Sequence, residues 1–330
     1  MRRADLLIGV VSAMLTIQSG SLLAQSPAGP YPNKPITLVL PYPPGGSTDV
    51  EARLYSPRLI EGLGKPVVID YKPGAGSSIG TIYVAKAAPD GYTIMAATPS
   101  FTVYPAFYPL DKLPFDPIKD FAPISMINRT SAILFVHPSL GARNFPEYLA
   151  YAKANPDKIN FGTSGSGGIF HIAGAWLHSA TNTKVTFVHY KGVGPMQIDI
   201  LGGRVDVAVG LPFVVAPHIK SGKIIPIAIL SAERSKFMPD LKTVSDYGVA
   251  GYDYVNRTGY VAPARTPEAI VNRLSAEFAK VAKAPEIIQK MEADGAEMVG
   301  STPEQFRQSL VADAARWRRI VQENGIKMEE

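Results

Sequence analysis

ITLVLPYPPGGSTD, residues 36–49, decides the fold. Its first seven residues form a short, nearly unbroken apolar run, the pattern of a strand buried on both faces. The run breaks at Pro43-Pro44-Gly45-Gly46 and passes directly into an amphipathic stretch over 50–63. A buried strand that opens through a glycine-rich turn into a helix is half of a βαβ unit. The rhythm continues outward. Residues 66–70 read as a strand, 78–88 as a helix ending at Pro-Asp-Gly, and 92–98 as a strand. It restarts with a strand over 132–138, a helix over 144–155 stopped by Pro156, and a strand over 159–164. A helix over 169–179, a strand over 184–190, a short helix over 195–201 and a strand over 204–210 follow. A helix over 212–221 and a strand over 224–231 close this second series. Beyond an extended stretch over 252–261, the chain reads as three helices, 267–283, 285–294 and 303–324, each opened by proline as first helical residues often are.

Two series of the same pattern predict an α/β chain of two lobes. The terminal helices bring no strands in this reading, so they are expected to return to the first lobe. The expected division is a leader over 1–26, the first lobe over 31–130, the second over 131–250, and a crossing and return over 251–330. Such an arrangement leaves an interlobe cleft, and ligands in open α/β sheets bind beyond the carboxyl ends of the strands.

With 330 residues, 46% hydrophobic and only 18% charged, the chain suits two cores rather than disorder or a coiled coil. The net charge of +5 is spread along the chain, without the basic stripe and interleaved aromatics that nucleic acid demands. The absence of cysteine excludes disulfides, thiol nucleophiles and thiolate metal sites. At the N-terminus, Arg2 and Arg3 precede the apolar run 6–17 and then small residues, the layout of a secretory signal. Cleavage after Ala24 places Leu22 at the −3 position, whereas cleavage after Ser26 places Ala24 there. The run is shorter than the ~20 residues of a membrane span.

Two loops stand out. The first is 41–49 and the second FGTSGSGGIFH, 161–171. Both run from a strand to a helix N-terminus, where free N–H groups and the positive end of the dipole favour an anion. Tyr42, Pro44, Gly45, Gly46 and Ser47 in one, and Thr163, Ser164, Gly165, Ser166 and Gly168 in the other, are candidate ligand contacts. Asp49 joins them, although an acidic residue there also suits a brace for its helix. Glycine and serine also serve turns and caps in such places. Phe170 and His171 open the second helix. Ser100 and Phe101 follow the strand over 92–98. Gly76-Ser77-Ser78-Ile79-Gly80 matches the G-x-S-x-G nucleophile pattern, with Ser78 as the serine. Pro73 and two glycines separate Ser78 from its strand, which argues against a nucleophile elbow. No Walker sequence and no H-E-x-x-H occurs, so neither a cofactor nor a metal is expected.

The pieces PPGGSTDVEAR, KPGAGSSIG with VAKAAPDGYTIM, GTSGSGGIFHIAG, VHYKGVGPMQIDILGGRVD, IKSGKIIPIAILS and GYVAPARTPEAIVNRL stand in an order and spacing that resemble the Bug (TctC-type) family. These are periplasmic receptors of tripartite tricarboxylate transporters. The resemblance implies a two-lobed periplasmic binding protein of type II-like form with two crossover strands. It also implies a small carboxylic acid between the loops 42–49 and 163–168, membrane transporter subunits as partners, and no enzymatic activity. A monomer is expected. Alternatives are a ligand sensor for a membrane receptor and a serine hydrolase using Ser78.

The chain departs from the family pattern at Ser77-Ser78, at the strand end VAVGLPF, and at Arg257-Thr258, where the family commonly has a tryptophan before the glycine. Arg257 would suit a second ligand carboxylate by bidentate pairing. Tyr42, Phe101, Tyr104, Phe170 and Phe213 together suggest a flat, apolar ligand body, as in terephthalate-like acids.

Overall fold

The computed structural model describes residues 31–293 and 295–328, so the expected leader lies outside the described residues. Among the described residues eleven strands form two sheets. The first holds β1 (Ile36–Leu40), β2 (Val67–Tyr71), β3 (Thr93–Ala97), β4 (Phe121–Ser131), β10 (Val255–Pro263) and β11 (Ala296–Met298), in the order β11-β4-β10-β3-β1-β2. The second holds β5 (Ile133–Val136), β6 (Asn160–Thr163), β7 (Thr186–His189), β8 (Val207–Gly210) and β9 (Ile225–Ile229), in the order β7-β6-β8-β5-β9. The βαβ units make parallel pairs in both sheets. β10 is antiparallel to β3 and β4, and β5 is antiparallel to β8 and β9, so both sheets are mixed.

The chain crosses between sheets twice. It leaves the first from Ser131 of β4 and enters the second at Ile133 of β5, with Ala132 alone between them. It returns after β9 and rejoins the first sheet at Val255. β4 and β10 lie side by side, paired from Val255 against Ser131 to Pro263 against Phe121, and so form a two-strand hinge. β4 was not legible in the sequence. Its eleven residues include Pro123, Asn128 and Arg129, which break any regular apolar alternation. The reading of the C-terminal region as strandless is corrected by β11, three residues held by backbone pairing to Thr130, Arg129 and Asn128.

Helices cover the sheets. In the first lobe they are α1 (Ser47–Leu63), α2 (Ser78–Ala85) and α3 (Ser100–Val103). The second carries α4 (Phe145–Ala154), α5 (Ile169–Thr181), α6 (Val193–Leu201) and α7 (Pro212–Lys220), and the C-terminal region α8 (Glu268–Lys283), α9 (Pro285–Ala293) and α10 (Pro303–Glu323). α10 opens with a capping box, Thr302 accepting from the Gln305 amide and Gln305 from the Thr302 amide. Its first half buries Phe306 and Leu310 with Val39, Met95 and Phe121 of the first lobe. Its second half buries Trp317, Ile320 and Val321 with Phe161, Leu177 and Tyr254. One helix therefore packs on both lobes beside the hinge. Among the described residues no helix is long and apolar enough to cross a membrane.

Candidate functional site

The carboxyl ends of β1 and β6 face each other across the cleft, and each runs into a glycine-rich loop that starts a helix. At α1, the Asp49 and Val50 amides bond back to the Gly46 carbonyl, which leaves the Ser47 and Thr48 amides directed out of the helix end. At α5, the Ile172 amide bonds back to Gly168, and the Ile169 amide reaches across the cleft to Ser100 Oγ at 3.0 Å.

Between these two helix ends lies a cavity of about 20 Å³. Tyr42, Gly46, Ser47, Thr48 and Thr98 line it from the first lobe and Ser164, Ile169, Phe170 and Val193 from the second, with Asn256 of β10 at the hinge. None of these lining residues carries a formal charge. Ser164 is buried, and its Oγ has no hydrogen-bond partner. A buried hydroxyl without a partner costs about 1–3 kcal/mol, so it is a donor held ready for an acceptor. The Tyr42 phenol contacts Thr98 Oγ1 at 3.2 Å. Burial pushes its pKa up, against the opposing hydroxyls of Ser100, Thr98 and Ser77, so it enters the cleft as a neutral hydroxyl.

The first loop is braced from within. Asp49 accepts the Gly45 amide at 2.9 Å on one oxygen, and Arg53 Nε at 2.9 Å and the Tyr71 hydroxyl at 2.6 Å on the other. Burial opposes its ionisation, but the bonds from Tyr71, Gly45 and Arg53 outweigh it and hold the carboxyl below its ordinary pKa. Pro44 and Gly45 form the exposed outer rim of this loop. Asp49 is thus the brace that the sequence also allowed, with both oxygens already engaged.

The second loop is braced by neutral groups. Thr163 Oγ1 contacts His189 Nδ1 at 2.7 Å and accepts the Gly165 amide at 3.3 Å. Gly167 donates its amide to His171 Nδ1 at 3.1 Å, and Gly168 to the Gly165 carbonyl at 3.0 Å. Burial, and then the neighbouring His189, lower the His171 pKa to about 4, so the ring is neutral and can accept that bond. His171 holds the loop rather than lining the cavity.

The loops meet closely. A Cβ on Gly76 would lie 2.9 Å from the Ser166 carbonyl oxygen, and its φ of +59° also favours glycine. A Cβ on Gly192 would lie 2.6 Å from Pro43 Cδ.

Several expected contacts belong elsewhere. Phe101 stacks on Phe115 and meets Phe121 edge-on at 4.8 Å in the first-lobe core. Tyr104 packs with that cluster, and Phe213 packs against the second-lobe core. Of the five rings, Tyr42 and Phe170 line the cavity, so the stacked aromatic lining is not formed. Ser78 is buried at the start of α2. Four of the histidines are bound to other groups, His178 to Tyr148 and Thr183, His171 to Gly167, His189 to Thr163 and His137 to Ser139.

Arg257 lies apart from the interlobe cavity. Successive side chains on a strand point to opposite faces. Asn256 and Thr258 are buried on the inner face of β10, while Arg257 turns outward to Asp313 of α10 at 3.2 Å. There it lines a separate, open cavity of about 340 Å³ with Arg129 and Arg234. This larger cavity is a poor anion site, because its arginines are already paired with Glu297, Asp246 and Asp313. Its neighbour Asn256, which the sequence did not single out, lines the interlobe cavity. The period-two alternation restricted the choice to one of the two faces without saying which.

A two-lobed α/β body with a neutral, donor-lined cleft at two helix N-termini defines a solute-binding protein. The family profile described as "Tripartite tricarboxylate transporter family receptor" (TctC) matches residues 52–326, and the chain belongs to that family. The solved periplasmic binding protein BugD is 30% identical, with a TM-score of 0.86 over 91% of this chain and 100% of that one. An R. palustris protein solved with adipate is 32% identical, with a TM-score of 0.85 over 90% of this chain and 99% of that one. MatC from Rhodopseudomonas palustris, solved with bound malate, is 27% identical, with a TM-score of 0.84 over 88% and 100%. The family, described as a transporter receptor, and BugD, a periplasmic binding protein, imply a periplasmic location.

Proposed function

We propose that this chain captures a small aliphatic carboxylic acid in the periplasm and presents it to the membrane subunits of a tripartite transporter. The observation that carries the reading is the convergence of two helix N-termini, one from each lobe, on a single uncharged cavity beside the partnerless Ser164 hydroxyl. Backbone N–H groups and hydroxyls are donors without a compensating negative charge, so a carboxylate gains charge-assisted bonds there that are stronger than those of water and that a cation cannot make. The proposed contacts are the Ser47 and Thr48 amides, Tyr42, Ser164 and the first turn of α5. Because the contacts come from both lobes, they are all made at once only in the closed form, which is how a ligand shifts the population toward closure. The adipate and malate held by the neighbours are acids of the size proposed. Phe101 is buried in the first-lobe core and half-buried Phe213 packs against the second, which takes away two of the rings that suggested a flat aromatic ligand.

Thermal melting with adipate, malate, citrate and terephthalate tests this. A small aliphatic acid should raise Tm, since a ligand bound only to the folded state stabilises it by mass action. Ser164→Ala should reduce the shift while melting normally without ligand. Stabilisation by terephthalate alone would reject the aliphatic assignment, and no stabilisation by any of the acids would reject the carboxylate reading.

A further inference from the structure

α1 carries one residue that anion capture does not explain. Glu51 follows Ser47 by one helical turn and is 1% exposed. Its Oε2 has no hydrogen-bond partner, and neither do Asn128 Oδ1 and Thr130 Oγ1 on the adjacent β4. Asn128 lies against Glu51 and spends an amide hydrogen on the Tyr55 hydroxyl at 2.9 Å, which in turn reaches Met298 Sδ. The titratable groups facing Glu51 are Tyr55 on α1 and Tyr260 on β10, both phenols pushed well up by burial and then by the Glu51 charge. Among the described residues no cation acts on Glu51; the groups that act on it are Asn128 on β4 and Thr258 on β10.

The bonds from Asn128 and Thr258 favour a carboxylate, but Oε2 stays buried without a partner, and a carboxylic acid would give that oxygen a hydrogen to donate. Burial works in the same direction and pushes the carboxyl up to about 8. On its other oxygen, Glu51 Oε1 accepts from Thr258 Oγ1 at 3.5 Å. That same hydroxyl accepts from Asn256 Nδ2 at 3.3 Å, and Asn256 Oδ1 accepts from the Tyr254 hydroxyl at 3.4 Å. Asn256 lines the interlobe cavity. A chain of side chains therefore runs from a buried carboxyl, along the inner face of a hinge strand, to the ligand wall.

We propose that Glu51 is kept as a neutral acid and acts as a positioning residue, fixing through Thr258 the Asn256 amide that reads a hydrogen-bonding group of the ligand. The Asn256 role rests on the reading of the cavity as the ligand site; the state of Glu51 does not. Loss of the proton would draw the Thr258 hydroxyl toward Glu51, release Asn256, and place a second negative charge near an anionic ligand. Affinity should then fall as pH rises through about 8.

Three measurements on the purified protein decide this. Infrared difference spectra should show the carbonyl band of a protonated, buried carboxylic acid at neutral pH that is lost in Glu51→Gln. The Asn256 side-chain amide signals, identified by their loss in Asn256→Ser, should move between about pH 7 and pH 9 in the wild type and stay fixed in Glu51→Gln. Adipate binding by calorimetry should weaken by about threefold or more over that range in the wild type and by less than that in Glu51→Gln. Absence of the infrared band, or the same amide movement in both proteins, overturns the proposal. If adipate fails to bind at all, the choice of ligand fails, and the first two measurements still decide the state of Glu51 and its hold on Asn256.

Discussion

The two loops that face each other across the cleft solve the same problem with opposite chemistry. The loop before α1 is held by an ionised carboxylate, Asp49, with three donors on it. The loop before α5 is held by an uncharged imidazole, His171, and the Thr163 hydroxyl. Both devices order glycine-rich backbone without placing a free charge in the cavity. The difference lies in strength and in pH range. A carboxylate with charge-assisted bonds is the stronger brace, and a neutral histidine is the one that acid removes first.

The largest effect is expected at the stronger brace. Asp49→Ala leaves the Gly45 amide, Arg53 and Tyr71 without their acceptor and should cost about 2–3 kcal/mol of stability, read by urea denaturation. A loss no greater than that of His171→Gln would remove the distinction between the loops.

Next is the seam where the loops touch. Gly76→Ala should reduce affinity for the selected acid by about tenfold or more, roughly 1.4 kcal/mol, because the added methyl meets the Ser166 carbonyl only when the lobes are closed. Backbone strain at positive φ, roughly 1–2 kcal/mol, should also lower Tm without ligand. Unchanged affinity in calorimetry would show that binding does not need this degree of closure.

The pH ranges separate the loops further. The folded pKa of His171 is depressed to about 4, so its contribution is complete above its ordinary value of 6.5 and is lost as pH falls from there toward 4. His178, depressed to about 3 by burial, adds to the same acid loss from a different place. His171→Gln should therefore flatten part of the decline in Tm across that range and leave the His178 part. Asp49, whose folded pKa is also lowered, keeps its contribution until pH falls below the ordinary carboxylate range. An Asp49→Asn protein that loses its acid sensitivity in the His171 range would contradict this order.

The smallest effect is expected at Arg257. Arg257→Ala should leave ligand affinity within about twofold, a few tenths of a kcal/mol, because the side chain is turned away from the cavity toward Asp313. Asn256→Ala, one residue earlier and on the inner face, should cost more than this in the same calorimetric titration. The reverse ranking would restore Arg257 to the site.

The sequence by itself determined the βαβ rhythm, the restart that makes two lobes, and the two loops at strand ends, because these depend on local periodicity and on glycine and proline placement. It also carried the family, through motifs spread over the whole chain. Tertiary structure decided what depends on partners distant in sequence. β4 and β11 exist because each finds a neighbour to pair with, not because their own residues demand it. Phe101 and Phe213 were legible as apolar, but which surface they would cover was not. On β10, alternation guaranteed that Asn256 and Arg257 would face opposite ways. Only the packing of α1 on one face and α10 on the other settled that the amide meets the cleft and the guanidinium meets Asp313.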